Sequence, residues 1–448
     1  MQFFTTGMKF QYIFLTFFGL VAVIAMFVFA KMPGSSDKAA VPGVSGKVVI
    51  WGTFPNSALM EKLITQFNAS YKKVFSISYA YHDPKDFDHD IVEALASGHG
   101  PDIVLLPDDL ILRHSDKIEV LPYTSLPQRD FQTLFIQAAE IYMRDQGVIA
   151  LPFAIDPLVM YWNRDLFDNA SITEPPKYWD EFLTLAPKLT KRDQKTTDIT
   201  QSAVAFGEYV NVDNAKDIIA MLFLQVGNPI VSMKDGKPQT QLFAVDGDKI
   251  VPDQDVISAF RFYMDFSNPL KGIYSWSRAR ASSRDEFING NLAIYFGFAS
   301  DYQILQQKNP HLNFAVAPIP LPRETKVEIT FGRMHGLAVL KSSHNKPTAF
   351  YAIQRLLESK PSGDFSAAFN LPPVRRDLLS HRPADAASSV FYDSAIRSRT
   401  WLDPKPEASD LAFRQMVESV SSGRNAIDTA VAYLNTALNT ALKPYQGN

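Results

Sequence analysis

Several short stretches of the sequence put acids, histidines and aromatic rings where an apolar run has just ended. VVIWGTFP offers Trp51, Thr53 and Phe54, and IVLLPDD offers Asp108 and Asp109. FAIDP ends on Asp156, and YHDPKDFDHD gathers His82, Asp83, Asp86, Asp88, His89 and Asp90. The last has the residue types of a metal site. Acids at a helix start are favoured without any metal, however, because they face the positive end of the helix dipole, and no metal is assigned. Adjacent carboxylates such as Asp108 and Asp109 have the chemistry for glycosidase acid and base work. They equally accept hydrogen bonds from a ligand or cap a helix. Rings that pack on C–H faces, beside carboxylates that accept from hydroxyls, make the mixture a polyhydroxylated ligand needs in a concave site. There is no G-x-S-x-G elbow, Walker loop, dinucleotide glycine pattern or H-E-x-x-H. Binding is therefore expected rather than catalysis, with no cofactor.

The elements that must position these residues alternate. KVVIW is a β-branched run suited to a buried strand. Asn56 or Ser57 can cap a following helix, in which Leu59, Met60, Leu63, Ile64, Phe67 and Tyr71 share a face. Val74–Tyr81 reads as a strand, DFDHDIVEALASGHG as a helix with a glycine stop, and PDIVLLPDD as a strand. That order predicts a parallel α/β sheet, in which ligands bind beyond the carboxyl ends of strands. Further strands are expected at 147–153, 158–162, 291–296, 313–318 and 331–340. Further helices are expected at 179–189, 215–226, 347–358 (capped by Asn345), 411–420 and 426–442.

The bulk numbers narrow the class. At 448 residues the chain is too long for one core. A net charge of −3 gives no electrostatic basis for nucleic-acid binding. The absence of cysteine excludes disulfides, thiolate chemistry and lipidation at an N-terminal cysteine. Phe10 to Ala30 is uncharged between Lys9 and Lys31, long enough at about 1.5 Å per residue to span about 30 Å of hydrocarbon. An uncleaved anchor is favoured over a signal peptide cut after Val28 and Ala30, whose apolar core would be shorter. Lys31–Gly46 is a flexible Pro/Gly/Ser/Ala linker behind the short 1–9 tail.

Collinear pieces then carry a resemblance: GKVVIW, ALASGHGPDIVLLPDD, LPFAIDPLVMYWNRDLF followed by EPPKYWDEFLTLAPKLT, FINGNLAIYFG, VAPIPLP, GLAVLKSS and SSGRNAIDTAVAYLNTAL. In this order, from about Lys47 to Leu442, the chain resembles the family 1 extracellular solute-binding proteins of ABC importers, the maltose-binding-protein type. The resemblance implies a two-lobe α/β fold (type II) with a ligand cleft between lobes that close by a hinge. It implies lobe 1 at 47–153 plus about 332–372, and lobe 2 at 154–331 plus about 373–448. Crossings would fall near 154–157, 327–332 and 371–375. A monomer delivering a sugar or oligosaccharide to membrane permease subunits is the implied role.

Carried over residue by residue, the resemblance implies ligand contacts at Trp51, Thr53, Phe54, Asp108, Asp109, Asp156, Glu208, Tyr209, Phe298, Ser300, Asp301, Arg333 and Trp401. Two departures stand out. Leu105 and Leu106 occupy the place of a usual aromatic, and Ser300 that of a usual tryptophan. A sensor or surface protein built on the same fold, without transport, is the alternative role.

Overall fold

The computed structural model describes residues 42–55, 57–246, 249–325 and 327–446. The expected tail and anchor, and the linker up to residue 41, lie outside the described residues. Among the described residues no helix is long and apolar enough to cross a membrane.

One curled sheet runs through the molecule. Its main strands are β1 (Lys47–Gly52), β2 (Ser76–Tyr81), β3 (Ile103–Pro107), β4 (Leu151–Asn163), β5 (Ile199–Val204), β6 (Leu292–Phe298), β7 (Phe314–Ala317) and β8 (Thr330–Val339), with two-residue strands Lys191–Arg192 beside β5 and Ser398–Arg399 beside β8. Their order is β2-β1-β3-β8-β4-β6-β5, and β7 pairs with β4. β1 is parallel to β2 and to β3, with Trp51 opposite Ala80 and Val104. β8 enters antiparallel between β3 and β4. The 13-residue β4 joins the two halves of the sheet. Leu151–Pro157 pair with β8, and Leu158–Trp162 pair with β6. The apolar runs expected at 147–153 and 158–162 are thus mostly one strand. Pro157, which has no N–H for the ladder, sits where the strand changes partner, a position that tolerates proline. It also accepts from Ala299 N at 3.0 Å through its carbonyl.

The helices follow their sequence signals. α1 (Ala58–Tyr71) starts at Ser57, whose hydroxyl accepts from Met60 N at 3.3 Å. It buries Met60, Phe67 and Tyr71, while Leu59 stays exposed. α2 (Phe87–Ser97) stops at Gly98 with φ 74°, the left-handed turn glycine adopts without strain. α3 (Ala215–Gln225) is buried along its length except at Lys216 and Asp217. α4 (Pro406–Ser421) and α5 (Ile427–Leu442) pack on each other, and the latter buries Ala430, Val431, Leu434, Leu438 and Leu442. Asn345 precedes its helix, Lys346–Leu356, without the expected side-chain cap.

Candidate functional site

The carboxyl ends of strands from both halves of the sheet face one cavity of about 590 Å³. From the half of the sheet around β1 come Thr53 after β1, Asp88 from α2, and Asp108 and Asp109 after β3. From the other half come Tyr209 after β5 and Asn214, Lys216 and Asp217 at the start of α3. Arg333 and His335 come from β8, Trp401 and Asp403 from the segment entering α4, and Glu407 and Asp410 from the start of α4 itself.

Local packing explains the placement of Thr53. A Cβ on Gly52 would lie 2.8 Å from the Tyr79 hydroxyl and 3.0 Å from Leu105 Cβ, so only glycine lets β1 end this close to its neighbours. The Tyr79 hydroxyl then donates to Phe54 O at 2.8 Å, pinning the turn. Trp51 and Phe54 do not line the cavity. Alternation along β1 sends Trp51 to the face opposite Ile50, where its ring lies tilted against that of His82 with centroids 4.1 Å apart. Phe54 joins Phe365, Phe369 and His335 in an aromatic cluster at 5.2, 5.5 and 5.0 Å.

The two β3 carboxylates differ in their partners. Asp108 is buried, accepts from Met334 N at 3.3 Å and bonds the Thr400 hydroxyl. Burial first, then the Asp109 charge, pushes its carboxyl far above the ordinary range. Asp109 is raised too, by burial and then by Asp403, against the pull of Lys216 and Arg333. No protein hydrogen bond reaches the Asp109 carboxylate among the described residues.

Two of the three cations of the cavity, Lys216 and Arg333, are committed. Lys216 Nζ meets Asp403 Oδ2 at 2.5 Å and lies 5.7 Å from the Trp401 ring centre. Asp403 also accepts from Ser409 Oγ at 2.7 Å and Lys405 N at 3.0 Å. Burial works against the Lys216 charge, but Asp403 more than offsets it and the ammonium pKa rises. Arg333 pairs with Asp217 at 2.5 Å and lies 3.8 Å over the Phe298 ring. His335 is pushed down to about 4, by burial and then by Arg333, and is neutral at pH 7. Tyr209 donates to Asp410 at 2.5 Å.

Six of the thirteen residues expected to meet a ligand therefore line this cavity: Thr53, Asp108, Asp109, Tyr209, Arg333 and Trp401. The others sit around it in structural bonds. Asp156 accepts from Ser300 N at 3.0 Å and Oγ at 2.6 Å, tying β4 to the turn after β6. Burial holds its carboxyl at about 6. Asp301 accepts from Phe298 N at 3.0 Å and Tyr295 OH at 3.1 Å and pairs with Arg284 at 3.2 Å. A Cβ on Gly297 would come within 2.6 Å of that carboxylate. Glu208 pairs with Arg278 at 3.2 Å. Phe298 is buried beneath Arg333.

In the histidine and aspartate stretch, Asp88 is held by Arg113 at 2.5 Å and His114 at 2.8 Å, and His82 by Asp90 at 2.6 Å. Among the described residues no group of three or more metal-ligand side chains gathers. Sequence reasoning missed Lys216, Asp217, Asp403, Asp410 and His335. Its available signal was the polar pair Lys216–Asp217 heading the apolar α3.

A family model described as bacterial extracellular solute-binding protein matches residues 62–387. The chain belongs to this family. Membership places its soluble part outside the cytoplasm and makes it a binding protein by family. Solved structures agree in fold. The cyclic α-maltosyl-1,6-maltose binding protein of Arthrobacter globiformis superposes with TM-score 0.72 at 16% identity, over 89% of this chain and 99% of that one. The sugar-binding protein MalE of Xanthomonas citri gives 0.69 at 19%, over 89% and 98%. An ABC substrate-binding protein of Listeria monocytogenes, in complex with cycloalternan, gives 0.66 at 16%, over 89% and 99%. A putative binding protein of Brucella abortus is 22% identical over 52% of this chain and 52% of its own length. The chain thus matches the curated relatives over about half their length. The two-lobe fold expected from the resemblance to ABC-importer solute-binding proteins is the fold observed.

Proposed function

We propose that the chain is the extracytoplasmic receptor of an ABC importer. It takes a carbohydrate or similar polar solute into the cavity between its lobes and presents it to membrane permease subunits on hinge closure. Phe10–Ala30 serves as its anchor. The observation that carries this reading is the cavity itself, walled by strand ends of both lobes and by the crossing strand β8. A solute touching both walls binds the closed form better than the open one, and only such differential affinity drives closure. The neighbours named for cycloalternan and cyclic maltosyl-maltose support a saccharide. Thr53, Tyr209 and Trp401 supply the hydroxyls and ring face for it, while Asp109 and Arg333 supply charge.

A thermal-shift screen of sugars, oligosaccharides, amino acids and polyamines on the chain from Lys47 onward tests the proposal. At 100 times its dissociation constant, a ligand adds about 2.7 kcal/mol of stability. If only solutes outside the polyol class shift melting, the substrate class is wrong.

Fluorescence separates the two tryptophans. Trp401 lines the cavity and is packed at 6.0 Å on Phe413, whereas Trp51 lies outside it. Trp401→Phe is expected to remove most of the ligand-induced emission change, and Trp51→Phe to keep it with affinity within about twofold. The opposite pattern would return the binding wall to the end of β1.

A further inference from the structure

Seven carboxylates and three cations line the cavity. Most of these acids have a partner. Asp217 has Arg333, Asp403 has Lys216, Asp410 has Tyr209, and Asp88 has Arg113 and His114. Asp108 has Met334 N and the Thr400 hydroxyl. Glu407 is exposed in the first turn of α4, where the helix dipole favours an acid. Asp109 alone is partly buried with neither a hydrogen bond nor an ion pair from the described residues. The nearest cations are already engaged with Asp217 and Asp403, and those same two carboxylates repel Asp109. The third cation, Lys85, is exposed.

A buried carboxylate without a partner is costly, and closing the lobes over it would raise that cost. Hydroxyl donors of a neutral sugar offset part of it. A charged donor offsets more, because charge-assisted hydrogen bonds are roughly twice as strong as neutral ones. The excess of carboxylates over cations gives the whole cavity a field that attracts a positive group. We propose that the solute carries a primary ammonium group that binds on the Asp109 carboxylate. This rests on the reading of the cavity as the solute site and narrows the solute to an amine. Two sources share that chemistry, an amino sugar and a free polyamine, and the polyol-suited Trp401 and Tyr209 favour the first.

Binding to the full chain is measured by calorimetry for glucosamine, galactosamine and the β-1,4-linked glucosamine disaccharide. Each is paired with its neutral parent: glucose, galactose and cellobiose. Spermidine is the polyamine arm. Within each pair only ammonium and hydroxyl exchange, so shape is held constant. At least one amino sugar is expected to bind about tenfold or more tightly than its parent, and Asp109→Asn to abolish that difference. Asp109→Asn is also expected to melt no lower than the native chain, since it removes a carboxylate without a protein partner, so a lost preference is not lost folding. Parents that bind as well as the amines, or a preference that survives Asp109→Asn, overturn the ammonium site and leave the carbohydrate reading standing. Spermidine binding that depends on Asp109, with no sugar bound, keeps the ammonium site and overturns the carbohydrate reading. No binding across the panel overturns both.

Discussion

Asp403→Leu is expected to cost about 3–5 kcal/mol of folding stability. Asp403 is 2% exposed and holds Lys216 Nζ at 2.5 Å, with Ser409 Oγ and Lys405 N on its remaining lone pairs. Leucine satisfies none of these. The Lys216 ammonium, itself only 16% exposed, is left with Asp109 and Asp217 at longer range. These acids soften the loss, which places it toward the lower end of the range. The pair also ties α3 of the second lobe to the segment entering α4, so its removal loosens one wall of the cavity. Adding Lys216→Met to Asp403→Leu is expected to recover at least about half of the loss, because two apolar groups no longer strand a charge. Urea unfolding followed by tryptophan emission measures both. A single variant within about 1 kcal/mol of native, or a double variant no better than the single, would show that the pair is solvated in solution.

The fold was legible wherever local pattern and tertiary position agree. β1, β3 and β8, and the helices that follow β1 and β8, were expected within one or two residues because β-branched runs and apolar stripes coincide with burial, whereas the short helix Ile111–His114 after β3 was not expected. Reading failed where the chain changes partner. Pro157 splits β4 on paper, yet the backbone runs straight through because it pairs with β8 below the proline and with β6 above it. The helix Ser359–Phe369 was missed because it contains Pro361 and Gly363, poor helix residues in isolation. Pro361 is tolerated within the first turn, whose N–H groups need no helical partner.

The site was only half legible, for two physical reasons. A strand end identifies a neighbourhood, but the course of the turn beyond it decides which side chain enters the cavity: Thr53, past the end of β1, lines it, while Trp51, still within β1, does not. The second reason is long range. Lys216 and Asp403 are 187 residues apart, and the pairing depends on how α4 returns against α3. Asp156 looked like a ligand acid because it follows an apolar run, and Asp301 because the resemblance implied it. In the fold their lone pairs go to Ser300, Phe298 N and Tyr295, bonds no local pattern announces.

Asp108→Asn is expected to flatten the pH dependence of stability in the ligand-free protein. Burial and the Asp109 charge raise the folded-state pKa of Asp108 above its unfolded value of about 3.9. At low pH the carboxyl is protonated in both states and no difference arises. As pH rises past about 4, the unfolded chain ionises first while the folded carboxyl keeps its proton. The unfolded state then binds fewer protons, so stability falls until the folded pKa is passed. Every tenfold difference in proton affinity between the two states corresponds to about 1.4 kcal/mol. Asparagine imitates the protonated acid: its carbonyl oxygen accepts from Met334 N, and its amide donates to the Thr400 hydroxyl. It carries no charge to bury, so the variant is expected to gain at least about 2 kcal/mol on the native chain between pH 4 and pH 8. Other groups surround the site: Asp109 and Asp217, whose charges raise Asp108, Tyr142, whose pKa Asp108 raises, and Asp403, whose charge acts on Asp109. They are present in both proteins, so the difference between the two curves isolates Asp108 and any relief its loss gives to Asp109. Urea midpoints at half-unit pH steps measure it. Parallel curves would mean that Asp108 ionises in the folded protein as easily as in water, and the buried acid pair at the cavity's base would lose its physical basis.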